Sequence, residues 1–289
     1  MSKCVTVYTQ AYNVENYIEQ CIKSVLSQTF QDFEWILVEN GSTDKTREII
    51  RKYAALDERI KPDYFDVNQD GFTNYYIAEK ADGRYIVKID SDDWIEPEYL
   101  EKLIAPFEDP DVDISICGAV NYEEETGRET PHEYGELDGV YSKSDIEKQF
   151  IEMRSYMGTY WGKMFRREIF CSILPDMKEI GEKLKKGDNF GGDVAFALCY
   201  LGECKKLAFV NERMYHYRIH NNSYATRTIG TNRVFSCLAL RETEHHFLHK
   251  VNAYTEQNVI MVDLLFWQNI EQLFKNIIRA DWDTDQKIK

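Results

Sequence analysis

Three carboxylates fall within four residues near the end of the first third of the chain. They are Asp90, Asp92 and Asp93, with Ser91 between the first two. Hard divalent ions such as Mg²⁺ take oxygen ligands, commonly one or two carboxylates together with phosphate oxygens and water. Alternate side chains of an extended segment point the same way, so Asp90 and Asp92 are expected to share an ion, or to divide an ion and a sugar between them. The alternative is a solvated acidic turn that caps the next helix, and D-x-D alone leaves both open.

The surroundings of the acids favour chemistry. The apolar run from Tyr85 to Ile89 predicts a buried strand that leads directly into Asp90. Helical patterns separate it from earlier strands, which predicts an α/β fold with a mostly parallel sheet and helices on both faces. Ligands of such sheets bind at the carboxyl ends of the strands. Glu39-Asn40-Gly41 follows the predicted strand Trp35–Val38 in the same way. The earlier strands are predicted at Val5–Tyr8, Trp35–Val38 and Ile60–Phe65.

The second half of the chain is predicted to be less regular. The sequence indicates a hairpin or loop over 121–141, a helix over 145–156, a mobile loop over 175–192, a helix over 194–201, one or two strands over 206–217 and a polar loop over 218–230. From about Asn232 helical patterns run to the end. One predicted helix face is expected to close the domain, with a dimer interface or a patch toward a lipid-linked acceptor as alternatives. That face carries Ile260, Leu264, Trp267, Ile270, Phe274 and Ile277.

The composition excludes some classes of partner. The chain has 289 residues, 43% of them apolar, and a formal net charge of -15. Nucleic-acid binding depends on basic stripes that neutralise phosphates, so no nucleic-acid partner is expected. The same charge argues against tight adhesion to anionic lipid and leaves only peripheral membrane contact open.

The cysteines bear on the expected compartment. There are seven, far apart and without a C-x-x-C pair. Scattered cysteines of odd number, with no hydrophobic signal segment after Met1, fit reduced thiols. The expected location is the cytoplasm, with the inner face of the cell membrane as an alternative.

Further motifs occur in a fixed order along the chain. They are Val5-Thr6-Val7 with Ala11-Tyr12-Asn13, then Ser24 to Phe30, Val38 to Asp44, Ile89 to Trp94, Tyr160 to Lys163, Gly192-Asp193 and Tyr217 to Ser223. Together they make the chain resemble the family 2 glycosyltransferases of GT-A fold that build bacterial surface polysaccharides, over roughly residues 3 to 225. The resemblance implies a nucleotide-binding half over 1–120, an acceptor-binding half over 121–230 and a helical C-terminal extension over 231–289.

The same resemblance implies an activity. Such an enzyme transfers a sugar, with inversion, from a nucleotide-diphosphate donor to the hydroxyl of a saccharide or lipid-linked saccharide. A UDP-sugar is the expected donor, Mn²⁺ or Mg²⁺ the expected cofactor, and a homodimer is left open. The implied roles assign the nucleoside to Thr9, Ala11, Tyr12, Glu39 and Asn40, the ribose or sugar to Asp90 beside Ser91, the metal to Asp92 and His220, the diphosphate to Arg218, and the catalytic base to Asp193.

Two candidate site residues have structural alternatives. An inverting displacement needs one base near the acceptor hydroxyl and no protein nucleophile, which fits Asp193 at the start of a predicted helix. The alternative for Asp193 is a helix N-cap, a common position for aspartate. Trp161, next to Tyr160, is expected either to stack on an acceptor sugar or to belong to the core.

Three positions depart from the family pattern. Asn40 replaces the second of two acids, Asn74-Tyr75 replaces an Arg-Asn pair, and Gly192 replaces the acid that precedes the base. An amide donates as well as accepts hydrogen bonds, so Asn40 leaves the preferred nucleobase open.

The departures at Asn40 and Asn74-Tyr75 keep one alternative function open, a catalytically silent glycosyltransferase-like module that binds nucleotide or sugar. The joint presence of Asp92, Asp193, Arg218 and His220 favours an enzyme. A nucleotidyltransferase is disfavoured, because the segment Thr9–Asn13 lacks the glycines and cations of a phosphate-binding loop.

Overall fold

Strands and helices alternate through the first third of the chain, as the sequence predicts. The computed structural model describes residues 4–69, 73–132, 137–184, 190–220 and 232–279. The chain divides into two compact units. The first comprises residues 1–140, 160–172 and 204–220, and the second comprises residues 141–159, 173–203 and 221–289.

The first unit contains most of the strands. They are β1 (Val5–Ala11), β2 (Phe33–Asn40), β3 (Ile60–Phe65), β4 (Tyr85–Lys88), β5 (Trp94–Ile95), β6 (Val112–Glu123) and β7 (Arg128–Pro131), then β9 (Lys163–Arg166) and β10 (Lys206–Ile219) after the short β8 (Gly139–Ser142). Its helices are α1 (Ile18–Leu26), α2 (Thr46–Ala54), α3 (Thr73–Lys80), α4 (Tyr99–Ile104) and α6 (Arg167–Ser172).

The sheet has the strand order β3-β2-β1-β4-β9-β6-β10-β5, and β7 pairs with β6. The first four strands of this order pair in parallel, and so do β6 and β10. Strand β9 runs antiparallel between β4 and β6, and β5 runs antiparallel to β10. The α/β prediction is confirmed, with antiparallel strands added in the second half of the sheet.

The strand order creates a switch point next to β1. The chain runs outward from β1 to β2 and β3, then returns to place β4 on the other side of β1. Parallel sheets bind ligands in the crevice at the carboxyl ends of the strands where the order reverses. Ala11 and Glu39 are register partners at the ends of β1 and β2, and Asp90 follows β4. The predicted polar clusters therefore share one edge of the sheet.

Apolar packing fixes these strands. Val5, Val7 and Trp35 are buried in the sheet, together with the inward face of α1. That face carries Ile18, Cys21, Ile22 and Val25, whose spacing of three, one and three matches the 3.6-residue helical period. Helix α1 starts at Ile18 and not after Asn13, because Asn13 has φ 52° and its side chain bonds elsewhere. Asn13 is therefore not the N-cap of α1.

The second unit is mainly helical over its described residues. Its helices are α5 (Ile146–Ser155), α7 (Leu174–Leu184), α8 (Gly192–Glu203), α9 (Arg233–Lys250) and α10 (Glu256–Arg279). The mobile loop predicted over 175–192 is wrong for its first ten residues, which belong to α7; residues 185–189 lie outside the described part. Met177, Ile180 and Leu184 repeat at helical spacing and pack toward Ala195 and Ala239.

Helix α10 corrects another expectation. Val262, Ile270 and Leu273 are buried, but most of the face predicted to close the domain is exposed. Within the described residues, no helix is both long enough and apolar enough to cross a bilayer.

Candidate active site

The loops that follow β1 and β2 are joined by side chains. The Oδ1 atom of Asn13 accepts the Thr43 N–H at 2.8 Å, and the Asn13 N–H donates to Ser42 Oγ at 3.1 Å. The Glu15 N–H donates to Asp44 Oδ2 at 3.0 Å. Asparagine tolerates the left-handed backbone that Asn13 adopts. These bonds hold the two loops as one surface at the carboxyl edge of the sheet.

Glu39 shapes the end of β2. Its carboxylate is fully buried, accepts the Ser42 N–H at 2.5 Å and pairs with the Arg47 guanidinium. Gly41 follows with φ +76°, and a Cβ there would lie 2.5 Å from the carbonyl carbon of Val67. Only glycine fits this turn. The buried carboxylate therefore fixes its own loop, and contact between Glu39 and a nucleoside stays a prediction.

Asn40 uses both functions of its amide. Its Oδ1 accepts the Gln69 N–H at 2.9 Å, while its Nδ2 donates to Asn68 Oδ1 at 2.6 Å and to the Gln69 carbonyl at 3.3 Å. A carboxylate cannot donate, so an aspartate at this position would leave two acceptors facing its oxygens. This pairing gives the Asn40 departure a structural reason, because the amide fastens residues 68–69 to β2.

The residues at the end of β1 differ in accessibility. Thr9 is buried and its Oγ1 accepts the Trp35 Nε1–H at 3.1 Å, and Ala11 is buried too. Tyr12 is 38% exposed. Among these three predicted nucleoside contacts, Tyr12 offers its side chain to a ligand, while Thr9 and Ala11 hold the strand end in place.

The acidic segment forms a tight turn. Strand β4 ends at Lys88, and the Asp93 N–H donates to the Asp90 carbonyl at 3.2 Å, with Ser91 buried between them. The expected extended alternation of Asp90 and Asp92 is wrong, because the backbone turns here. Asp90 Oδ1 lies 3.0 Å from Lys88 Nζ, and the side chains of Asp90 and Asp92 remain 33% and 27% exposed. Both carboxylates can therefore reach a ligand.

Asp93 is buried beneath this turn. Its Oδ1 accepts the Arg218 N–H at 2.8 Å, and its Oδ2 accepts the Tyr215 hydroxyl at 2.7 Å. The same hydroxyl accepts the Asp90 N–H at 3.0 Å. Burial, followed by the charges of Asp92 and Asp90, raises the pKa of Asp93 well above its ordinary value. Asp93 and Tyr215 thus fasten the turn from below.

Arg218 fastens the same turn from the side. Its Nε–H donates to the Asp92 carbonyl at 2.7 Å, its Nη2 donates to Gln20 Oε1 at 2.6 Å, and its Nη1 pairs with Glu124. The polar loop predicted over 218–230 is wrong at Arg218, because this residue is buried in β10 and all three of its side-chain nitrogens are bonded. The guanidinium also lies over the rings of Tyr17, Trp94 and Tyr122, at 5.0, 4.7 and 5.4 Å from their centroids.

His220 faces the turn directly after β10. Its Nε2 lies 3.0 Å from Asp92 Oδ2, and its ring lies 4.8 Å from the ring of Tyr17. Its Nδ1 is buried and has no hydrogen-bond partner in the described part of the chain. The other predicted loop residues, 221–230, lie outside the described residues.

The pair formed by Asp92 and His220 fits a divalent cation. A carboxylate oxygen and an imidazole nitrogen are adjacent, and first-row ions such as Mn²⁺ accept both. Among the described residues, no group of three or more His, Cys, Asp or Glu could hold an ion unaided. The remaining ligands would be phosphate oxygens and water, the usual arrangement in phosphate-binding sites.

The chain is similar in sequence to known proteins. The family model described as Glycosyl transferase family 2 matches residues 6–174. EpsH of Bacillus subtilis (strain 168) is 31% identical over 253 residues, which cover 87% of this chain and 71% of EpsH. The chain belongs to glycosyl transferase family 2. Some relatives of the transferase are longer. The match to the glycosyltransferase GlyA of Streptococcus pneumoniae covers 31% of the length of GlyA.

Solved structures show the same fold. The Staphylococcus aureus TarS 1-349 complex with UDP-GlcNAc has a TM-score of 0.65 and 18% identity, over 98% of the transferase and 78% of that chain. The mannosyltransferase PcManGT from Pyrobaculum calidifontis, in complex with GDP-Man and Mn²⁺, has a TM-score of 0.57 and 14% identity, over 100% of the transferase and 78% of that chain. At these identities the likeness shows the fold, which is GT-A.

Trp161 lies in the core behind the turn. It is 5% exposed, and its indole packs on Tyr215 and Tyr217 with ring centroids 4.5 and 5.4 Å away. His132 meets it edge-on at 5.2 Å. The structure favours the core alternative, in which Trp161 supports the tyrosine that holds Asp93. Stacking on an acceptor sugar stays a prediction.

Asp193 belongs to the second unit. It is the second residue of α8 and its side chain is exposed. Gly191, directly before the helix, has φ +79°. A carboxylate in the first turn is stabilised by the free N–H groups of the helix end. The Gly191 carbonyl accepts the Ala195 N–H at 2.9 Å, so Gly191 and not Asp193 occupies the N-cap position, and the N-cap alternative is wrong. The role of Asp193 as a base stays a prediction.

Four residues of the site were missed from the sequence. Tyr215 carried a usable signal, because Tyr215 and Tyr217 alternate with polar residues and predict one strand running through Arg218. Tyr17, Gln20 and Glu124 carried none. They meet Arg218 only through the fold.

Proposed function

We propose that the transferase moves a sugar, with inversion, from a nucleoside-diphosphate donor to an acceptor hydroxyl, in the synthesis of a bacterial surface polysaccharide or glycoconjugate. The contact between Asp92 Oδ2 and His220 Nε2, 3.0 Å apart at the carboxyl edge of the sheet, carries this proposal. The pair lies at the switch point of the strand order, where α/β sheets bind nucleotides, and this position supports the proposal.

A divalent cation held by Asp92 and His220 would offset the negative charge that develops on the departing diphosphate. The rest of the turn keeps these two residues in place. Asp93 accepts from Tyr215 and from the Arg218 backbone, and the Arg218 side chain donates to the Asp92 carbonyl. Preorganised groups of this kind need no rearrangement when charge develops.

Asp193 is proposed as the general base. The acceptor oxygen forms a bond to the anomeric carbon, the bond from that carbon to the diphosphate breaks, and the hydroxyl proton passes to Asp193. Its exposed carboxylate in the first turn of α8 supports this role, as does the family motif Gly192-Asp193. General-base catalysis contributes about 10²–10⁴-fold to rate.

A UDP-sugar is the proposed donor, with contacts from Tyr12 and Asp90. The TarS complex with UDP-GlcNAc supports it, and the mannosyltransferase complex with GDP-Man keeps a GDP-sugar as the comparison. The proposed acceptor is a saccharide or lipid-linked saccharide. A lipid-linked acceptor would bring a cytoplasmic transferase to the inner face of the cell membrane.

Nucleotide release from a donor panel tests the proposal. UDP-GlcNAc, UDP-glucose, UDP-galactose and GDP-mannose are incubated with Mn²⁺, Mg²⁺ or EDTA, and the free nucleoside diphosphate is measured. We expect slow release from one donor that requires metal, is lost in Asp92→Asn and persists in Asp111→Asn, a surface control paired with Lys205. Donor binding without any release would favour the silent binding module.

A further inference from the structure

Helix α10 has apolar side chains on two sides. Val262 and Leu273 are buried on one side, where α10 packs on α9 and α5, and Asn258 Nδ2 donates to the Glu147 carbonyl at 2.9 Å. The opposite side carries a second apolar row, here called the α10 seam, whose side chains are 50% to 71% exposed. The seam consists of Ile260, Leu264, Trp267, Phe274 and Ile278.

The seam has the spacing of a coiled coil. With Glu271 filling the one gap, its positions follow steps of four, three, four, three and four residues. They fall within about 80° of arc at 100° per residue and span roughly 27 Å. Alternating steps of three and four are the a and d positions of a heptad, which a facing helix covers by knobs-into-holes packing.

We propose that the α10 seam pairs antiparallel with the α10 seam of a second copy of the chain. A two-fold axis near residue 269 would set Ile260 opposite Ile278 and Leu264 opposite Phe274 of the second copy. In a parallel pair, Glu271 of one copy would face Glu271 of the other inside the seam. This costs free energy because like charges repel. In the antiparallel pair Glu271 faces Trp267, whose indole N–H can donate to it.

The exposed area fits a dimer better than a membrane. One large aromatic side chain buries about 150–250 Å². On this scale, five large apolar side chains that are half or more exposed present roughly 500 Å² of apolar surface per copy. A standard interface needs about 800 Å² per partner, which the flanking polar residues can complete. Helices that lie on anionic membranes carry lysine and arginine on the polar face, whereas this chain has a net charge of -15.

The mass of the full-length chain in solution tests the proposal. Light scattering behind size exclusion should give twice the chain mass of 34.1 kDa for wild type. Leu264→Glu should weaken the dimer by about 100-fold, because it puts an unpaired charge into an apolar interface. Leu56→Glu, the same change at an exposed leucine of the first unit, should leave the dimer intact. Glu271→Leu should tighten it by about tenfold, since it removes the one charge in the seam.

Circular dichroism checks that each variant is folded, and Ile278→Glu replaces Leu264→Glu if the latter is not. A monomeric wild type, or a Leu264→Glu protein as dimeric as Leu56→Glu, would overturn the proposal. A wild type that is monomeric but floats with phosphatidylglycerol vesicles, and loses this in Leu264→Glu, would overturn it in favour of a membrane surface.

Discussion

The Nε–H of Arg218 donates a 2.7 Å hydrogen bond to the backbone carbonyl of Asp92, which is 126 residues away in the sequence. The bond ties the end of β10 to the acidic turn after β4. The Arg218 backbone N–H holds Asp93 in the same way, at 2.8 Å. The position of the proposed metal ligand therefore depends on a strand from the other half of the sheet.

Arg218→Lys tests this structural role. Lysine has one nitrogen and cannot reach the Asp92 carbonyl, Gln20 and Glu124 together, so buried acceptors lose their donors. We expect the free energy of unfolding to fall by about 2 kcal/mol or more, measured by chemical denaturation. Arg213→Lys, an exposed arginine on the same strand, should change it by about 0.5 kcal/mol or less. If Arg218→Lys kept wild-type stability but lost nucleotide affinity, Arg218 would be a ligand of the diphosphate, as the family resemblance implies.

Asn40→Asp separates two roles for the amide. Because Nδ2 donates to Asn68 and to the Gln69 carbonyl, we expect the variant to lose about 1–3 kcal/mol of stability. Limited proteolysis should cut near residues 66–69 faster than in wild type. Asn211→Asp, at an exposed position of β10, is the control. An Asn40→Asp protein of unchanged stability that prefers a different nucleoside diphosphate would mean that the amide reads the base.

Asp93 predicts a pH dependence of stability. Burial, with Asp92 and Asp90, raises its pKa, so the folded chain keeps a proton that the unfolded chain releases. This contribution is complete below the unfolded pKa of about 3.9 and is lost as the pH rises through the raised pKa. Asparagine has no such proton. In EDTA, the Tm of Asp93→Asn relative to wild type should therefore be higher at about pH 8 than at about pH 5. Equal differences at both pH values would count against the raised pKa.

Asp193→Asn distinguishes a general base from a carboxylate that only stabilises the first turn of α8. We expect donor affinity near that of wild type and transfer reduced by about 10²–10⁴-fold, as for loss of a general base. Asp176→Asn is a matched control, since Asp176 is also an exposed aspartate in the first turn of a helix, α7. If the two variants transfer sugar equally fast, Asp193 is a helix residue and the base lies elsewhere.

Local patterns predicted the elements that position the site. The strand leading into Asp90, the end of β2 at Asn40 and the start of α8 at Gly192 all follow from short runs of apolar and polar residues. Such elements depend on residues that are close together in the sequence, so they can be predicted from the sequence alone.

Contacts between distant residues could not be predicted in this way. Arg218 is charged and precedes a polar segment, which is typical of a loop, yet Gln20 and Glu124 make burial favourable by accepting its hydrogen bonds. The error over α7 has a different cause. Lysine, glycine and aspartate dominate that segment, and they obscured an apolar row that contains only Met177, Ile180 and Leu184.

Thermal unfolding of wild type and Asp92→Asn, with UDP or UDP-GlcNAc in Mn²⁺, Mg²⁺ or EDTA, tests the metal-dependent site most directly. Ligand binding to the folded state raises stability by RT ln(1 + [L]/Kd). We predict that wild type gains several degrees only when metal and nucleotide are both present, and that Asp92→Asn gains none. An equal gain for both proteins, or a gain in wild type that survives EDTA, would contradict a metal site at Asp92.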